Sequence, residues 1–175
     1  MLEDFNLLTS TTKGNESRSR YEILRLLREV GDGNPKVAST EIAGLIVAKT
    51  NLNPFEAVRK LRNLLTDRPW DFRSTLKIRP VEKVVKTSLE DILEASLNLA
   101  ANIGEEESFM IKIEKRLTDL KKRDIIEAVA AKIERKVDLE NPDKTLLIEI
   151  LGGVTGLSLI GDDGVLSIVR EKKFI

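Results

Sequence analysis

The sequence predicts an α+β chain, α/β in the broad sense, built as two units, and three observations carry that reading. First, short apolar runs of period two, such as Phe109, Ile111 and Ile113 between Met110, Lys112 and Glu114, alternate with runs of helical period, such as Ile125, Ile126, Val129, Ala130 and Ile133. Second, capping residues and glycine stops punctuate those runs. Third, Pro80 and Val81 interrupt the chain near its middle. A boundary at Lys83 then gives units of 1–83 and 84–175, each long enough to bury a core.

Taken in order, Phe5 to Thr9 is a short strand, and a loop through Lys13 and Gly14 leads to Asn15, a candidate helix cap. The helix runs to Val30 with Ile23, Leu26, Leu27 and Val30 inward and Gly31 as its stop. Arg18, Arg20, Arg25 and Arg28 occupy its other side, which reads as a solvated charged face. Val37 and Leu45 to Ala48 are two short strands on either side of a Gly44 loop. Asn53, Pro54 and Glu56 combine a cap, a proline at the first helical position and an acid three residues after the cap, and Phe55, Val58, Leu61, Leu64 and Leu65 supply the buried stripe. Thr75 to Pro80 is the next strand. The order strand, helix, strand, strand, helix, strand is the ferredoxin-like one. Between the second helix and that strand, Trp70 and Phe72 lie among Arg68 and Arg73, a pattern that either stacks unpaired bases or covers the edge of a core.

In the second unit, Thr87 and Glu90 predict a capping box for a helix with Leu89, Ile92, Leu93, Ser96, Ala100 and Ile103 inward and Gly104 at its end. Glu105 to Glu107 reads as a solvated loop. The Phe109 strand leads into Glu-Lys-Arg-Leu-Thr-Asp-Leu-Lys-Lys-Arg-Asp, Glu114 to Asp124, with Thr118 or Asp119 as the cap of the helix that follows. That register places Lys121, Lys122 and Arg123 in the first turns, where the helix dipole disfavours each cation by about 0.3 to 1 kcal/mol. A bound anion would turn this penalty into a site, since helix-start donors and converging cations suit phosphate. The plain alternative is three long side chains splayed into water. Leu146 to Leu151 and Val154 to Ile160 form a hairpin through Gly152-Gly153, and a last helix starts at Asp162 or Asp163 and includes Leu166 and Val169.

Composition bounds the chemistry. At 41% hydrophobic and 33% charged residues the chain is globular. No apolar run approaches the roughly 18 residues of a membrane span, and Met1 to Ser10 lacks the basic start and apolar centre of a signal peptide, so the expected location is cytoplasmic with no membrane contact. Cysteine and histidine are both absent, which excludes disulfides, cysteine zinc sites, thiol nucleophiles and histidine acid–base chemistry. The glycines match neither a P-loop nor a dinucleotide fold, so no cofactor is expected. Lys plus Arg equals Asp plus Glu at 29 each, and nucleic-acid binding would have to come from local patches.

Several stretches of the second unit carry a family resemblance. Phe109 to Arg116, the basic helix start, Ile125 to Val129, Val137-Asp138-Leu139-Glu140-Asn141-Pro142-Asp143 and Leu147 to Ile150 together resemble the THUMP domain of thiouridine synthases, RNA methyltransferases and pseudouridine synthases. In the first unit Asn6 to Ser10, Lys13 to Glu16, Gly44 to Ile46, Pro54 to Glu56 and Arg68 to Trp70 are similar to stand-alone archaeal THUMP proteins, relatives of the THUMP adaptor of tRNA cytidine acetyltransferase. Those relatives carry Ser or Thr near the positions of Lys121 and Lys122 and a polar residue at that of Leu117. The resemblance implies tRNA binding without a catalytic domain: the acceptor and 3′ end region is gripped and the tRNA presented to a modifying enzyme, an acetyltransferase among the candidates. The phosphate-binding candidates are Lys115, Arg116, Lys121, Lys122 and Arg123, with Lys13 and Arg73 in the first unit. Asp138 and Asn141 read as shaping a turn. Two rivals stand beside this expectation: a carboxylate enzyme using Asp162 and Asp163 or Glu105 to Glu107 with Lys and Tyr21, and a scaffold that docks protein through an apolar patch.

Overall fold

The period-two runs of the first half lie in one sheet of the computed structural model, which describes residues 3–175; Met1 and Leu2, the start of the segment read for a leader, lie outside the described residues. β1 (Leu7–Thr11), α1 (Glu16–Glu29), β2 (Lys36–Ser39), β3 (Leu45–Lys49), α2 (Pro54–Asp67) and β4 (Thr75–Pro80) follow in β-α-β-β-α-β order. β1 lies between β3 and β4, antiparallel to both, and β2 lies outside β3. Ile23, Leu26 and Leu27 of α1 and Val58, Leu61 and Leu65 of α2 bury against Leu7, Ala48 and Ile78 in one core.

Local chemistry fixes the helix ends. Asn53 accepts the N–H groups of Phe55 and Glu56 (2.9 and 3.3 Å), with Pro54 behind it. α1 ends in a Schellman turn: Gly31 has φ +109°, its N–H donates to Arg28 O, and the Asp32 N–H donates to Leu27 O.

The second unit runs from Glu82 to Asp163 and has its own sheet and core. It contains β5 (Lys83–Lys86), α3 (Leu89–Ala100), β6 (Ser108–Arg116), α4 (Lys122–Ala130), β7 (Lys136–Val137), β8 (Lys144–Leu151) and β9 (Val154–Ile160). β6 is parallel to both β7 and β8, while β9 is antiparallel to β8 and to β5. Gly152, at φ +62°, and Gly153 make the two-residue turn between β8 and β9. Ile92, Ala95 and Leu99 of α3 and Ile125 and Val129 of α4 share the core with Phe109, Ile113, Leu146, Ile148 and Leu157.

Three expectations are corrected. Residues 83–86, given no element at the Lys83 boundary, form β5 by pairing along β9; two valines alone give too short a period to announce a strand. The cap of α3 is Ser88, accepting from the Asp91 N–H, because Thr87 continues past β5 and shares a hydrogen bond with Thr155 instead of pairing with Glu90. Leu89 is accordingly exposed. Finally, the second unit does not extend to residue 175. Residues 164–175 return to the first unit as β10 (Leu166–Ser167), antiparallel to β4, and α5 (Ile168–Lys172). Leu166 and Ile168 enter the first core, Arg62 donates to Glu171 and to Val165 O, and the last helix begins at Ile168, not at Asp162 or Asp163, so that Leu166 lies in a strand and Val169, in the helix, is exposed. Among the described residues no helix is long and apolar enough to cross a membrane.

Candidate nucleic-acid interface

β6 delivers the basic stretch and the turn after it sets its geometry. Leu117 follows the strand at φ +53°, a left-handed conformation uncommon for a non-glycine residue, and its side chain is exposed. Thr118 does not cap a helix: its hydroxyl accepts the Leu120 N–H (3.2 Å), and α4 begins four residues later at Lys122. The N-cap is Lys121, not Thr118 or Asp119. Hydrophobic contact explains this register, since Leu120 before the cap and Ile125 in the first turn both pack on the second core in the manner of a hydrophobic staple.

A lysine cap has consequences. No side chain accepts from the first turn of α4, so its N–H groups meet Lys121, Lys122 and Arg123 in place of a capping oxygen. All three side chains are exposed. Arg123 reaches Glu127 one turn on (3.0 Å), an exposed pair of little energetic weight, and Asp124 is the one acid of the first turn. Lys115, also exposed, donates to Leu120 O (3.0 Å) and closes the turn from the strand side.

Arg116 does not join them. Its guanidinium donates to Glu149 (2.7 Å), a carboxylate 2% exposed on neighbouring β8, so this arginine neutralises a buried acid while its own side chain stays 22% exposed. The two first-unit candidates lie at one end of their sheet, where the Thr11 hydroxyl donates to Ser74 O. Lys13 is exposed beside Glu16, whose carboxyl is held below the usual range by its own N–H and those of Gly44 and Gly14, with Lys13 adding to the effect. Gly44 is required there, because at φ +80° a Cβ would stand 2.8 Å from Thr11 O. Arg73 is exposed and its Nε donates to Trp70 O (3.0 Å).

The Val137 to Asp143 stretch shapes the start of β6. Asp138 Oδ1 accepts the N–H groups of Glu140 and Asn141 (3.0 and 2.9 Å), the turn read from the sequence, and these donors hold its carboxyl below the usual range. Asp143 accepts both the N–H and the hydroxyl of Ser108. Of the acids in the rival enzyme reading, Glu107 accepts the Gly104 N–H and pairs with Lys144, and among the described residues no group of three His, Cys, Asp or Glu side chains is placed to hold a metal ion. The aromatic pair separates, with Phe72 buried in the first core and Trp70 61% exposed.

Comparison with known proteins supplies the family context. No curated protein matches the sequence. Among solved structures, PH1313 from Pyrococcus horikoshii Ot3 is similar over 90% of this chain and 54% of its own, with 22% identity and a TM-score of 0.65. TrmN from Thermus thermophilus is similar over 87% of this chain and 44% of its own (16% identity, TM-score 0.55). A 4-thiouridine synthetase solved as an RNA complex with bound ATP is similar over 94% and 42% (18%, 0.57). The chain thus spans about half the length of these structures, and the likeness establishes a shared fold. A family model, the THUMP domain, matches residues 86–160, nearly the whole of the second unit. The basic turn, the Asp138 loop and the β8–β9 hairpin all fall within the stretch that the THUMP-domain model matches.

Proposed function

We propose that this chain is a non-catalytic tRNA-binding protein that receives phosphates of the acceptor and 3′ end region at the start of α4 and presents the tRNA to a modifying enzyme, for which the resemblance favours a cytidine acetyltransferase. The observation that carries the reading is a helix start inside a THUMP domain with no side-chain cap and with Lys121, Lys122 and Arg123 exposed around it. Donors and cations of this kind stabilise a phosphate through direct hydrogen bonds and the helix dipole. Lys115 extends the patch, and Arg116 contributes indirectly by fixing β6 to β8. An RNA complex among the similar structures supports the class of ligand. Because an unpaired end bends more freely into a helix start than a duplex does, the 3′ end is the natural occupant.

The test compares intact tRNA with the same molecule trimmed back to its duplex, in binding and in acetyl-CoA reactions with and without a candidate acetyltransferase. Intact tRNA should bind more tightly, and modification should require the enzyme. Equal affinity overturns end recognition, and modification by this chain alone overturns the non-catalytic reading. A second reading, a scaffold that docks the enzyme directly, draws on the exposure of Val137 and Leu139 (54% and 72%). It predicts enzyme binding in the absence of tRNA.

A further inference from the structure

The function proposed above uses the second unit and leaves a distinct surface of the first unit unassigned. Trp70 is the chain's one tryptophan, and most of its ring faces solvent although the backbone around it is held on every side. The buried Glu22 carboxylate accepts the N–H groups of Arg73, Ser74 and Thr75 (2.7, 3.0 and 2.8 Å). Arg25 donates to Asp71 O, Lys172 donates to Phe72 O, and the Phe72 side chain anchors in the core. The indole is thus presented on a fixed turn, Pro69–Asp71, so little backbone order remains to be gained on contact with a ligand.

α1, which holds this turn through Glu22 and Arg25, carries a second exposed ring. Tyr21 of α1 is 72% exposed and precedes Glu22, and Arg18, Arg25 and Arg28 share its helix face at spacings of three, four and seven residues. The neighbouring acids are occupied: Glu22 by backbone donors, Glu29 by Arg68, and Asp71 by Arg25 and Arg68. Arg18 and Arg28 have no carboxylate partner among the described residues. Tyr21 therefore shares its helix face with Arg18 and Arg28, and Trp70 stands beside Arg73, three arginines with no carboxylate partner among the described residues.

We propose that this surface of the first unit binds a single-stranded RNA segment, with Trp70 and Tyr21 stacking unpaired bases and Arg18, Arg28 and Arg73 contacting its phosphates. Ring faces beside cations are the means by which unpaired nucleic acid is held without sequence preference. A duplex keeps its base faces stacked inside and offers such rings nothing. An acidic peptide needs the cations but not the rings. The inference deepens the RNA-binding reading and rests on it for the kind of nucleic acid, while the site is separate from α4.

The experiment follows Trp70 fluorescence of the full chain during titration with an unstructured oligouridylate, and in parallel the anisotropy of the labelled oligonucleotide. With one tryptophan, the emission reports this surface alone. Saturable quenching is expected. Trp70→Ala and Tyr21→Ala should each weaken oligonucleotide binding by about tenfold, the order of one stacked base, while Trp70→Phe retains most of the affinity. Changing Lys121, Lys122 and Arg123 to Gln should leave the quenching in place. If tRNA binds through the α4 cations but no oligonucleotide quenches Trp70, the surface is overturned and the function proposed above stands. If neither RNA binds, both fall. Equal quenching by polyglutamate, or by a blunt duplex of the same charge, overturns base stacking in favour of a polyanion surface.

Discussion

Glu22 in the first unit and Lys121 in the second both stand beside backbone N–H groups that need an acceptor, and they treat them in opposite ways. Glu22, 8% exposed, accepts from three successive residues and ties the loop before β4 to α1. Lys121 occupies the cap position of α4 and offers the first turn another positive charge. One set of donors is satisfied by the chain itself and the other is left open, with cations gathered around it. Charge that is enclosed and partnered serves the fold, whereas exposed charge at a helix start is costly to the free protein and becomes favourable when an anion arrives.

The comparison breaks most directly at Glu22. Replacing it by Ala strands three backbone donors and should cost about 3 kcal/mol of first-unit stability, read from a urea titration of Trp70 emission. A loss under about 1 kcal/mol would mean the loop is held by other interactions. Arg116→Gln comes next, because it takes a charged donor away from the nearly buried Glu149, at a cost of about 2 kcal/mol once the partial exposure of Arg116 is allowed for. The salt dependence of tRNA binding should stay as it was. A shallower salt slope with unchanged stability would return Arg116 to the phosphate ligands.

A gentler effect is expected from Asp32. Burial alone would raise its carboxyl, but hydrogen bonds from the Thr50 hydroxyl (2.6 Å) and the N–H groups of Asn34 and Asn51 outweigh that and hold it below the ordinary aspartate value. A carboxyl lowered by folding stabilises the protein fully above its unfolded value, and that contribution is lost as pH falls through the folded one. The first unit should therefore lose stability as pH falls below about 4, and Asp32→Asn should flatten that acid limb in pH-dependent melting. An unchanged limb would assign acid unfolding to other groups.

The legible parts of the chain are those set by local chemistry. Gly31, the Asn53-Pro54 cap and the Gly152-Gly153 hairpin are all readable, because the residues that determine each lie within a few positions of it. β10 is not, since a strand of two residues has no period and owes its place to distant β4. Arg116 looks like its neighbours because nothing within the basic stretch points to Glu149, 33 residues away. The start of α4 is hidden because Thr118 and Asp119 are good caps in isolation, yet burial of Leu120 and Ile125 settles the register. Glu22 does leave a signal: it shares the buried face of α1 with Ser19, Ile23 and Leu26.

The smallest change in stability belongs to the residues on which the proposed function depends most. Changing Lys121, Lys122 and Arg123 together to Gln removes dipole repulsion along with the weak Arg123–Glu127 pair, so the free protein should be unchanged or a few tenths of a kcal/mol more stable. The decisive measurement is tRNA affinity of this variant across a salt series, with its melting curve recorded alongside. Weaker binding is expected, with the slope of log affinity against log salt shallower by about 0.7 to 0.9 for each phosphate no longer neutralised and the melting temperature undiminished. Parent-like affinity at every salt concentration would contradict the account and leave the basic turn as no more than a solvated surface.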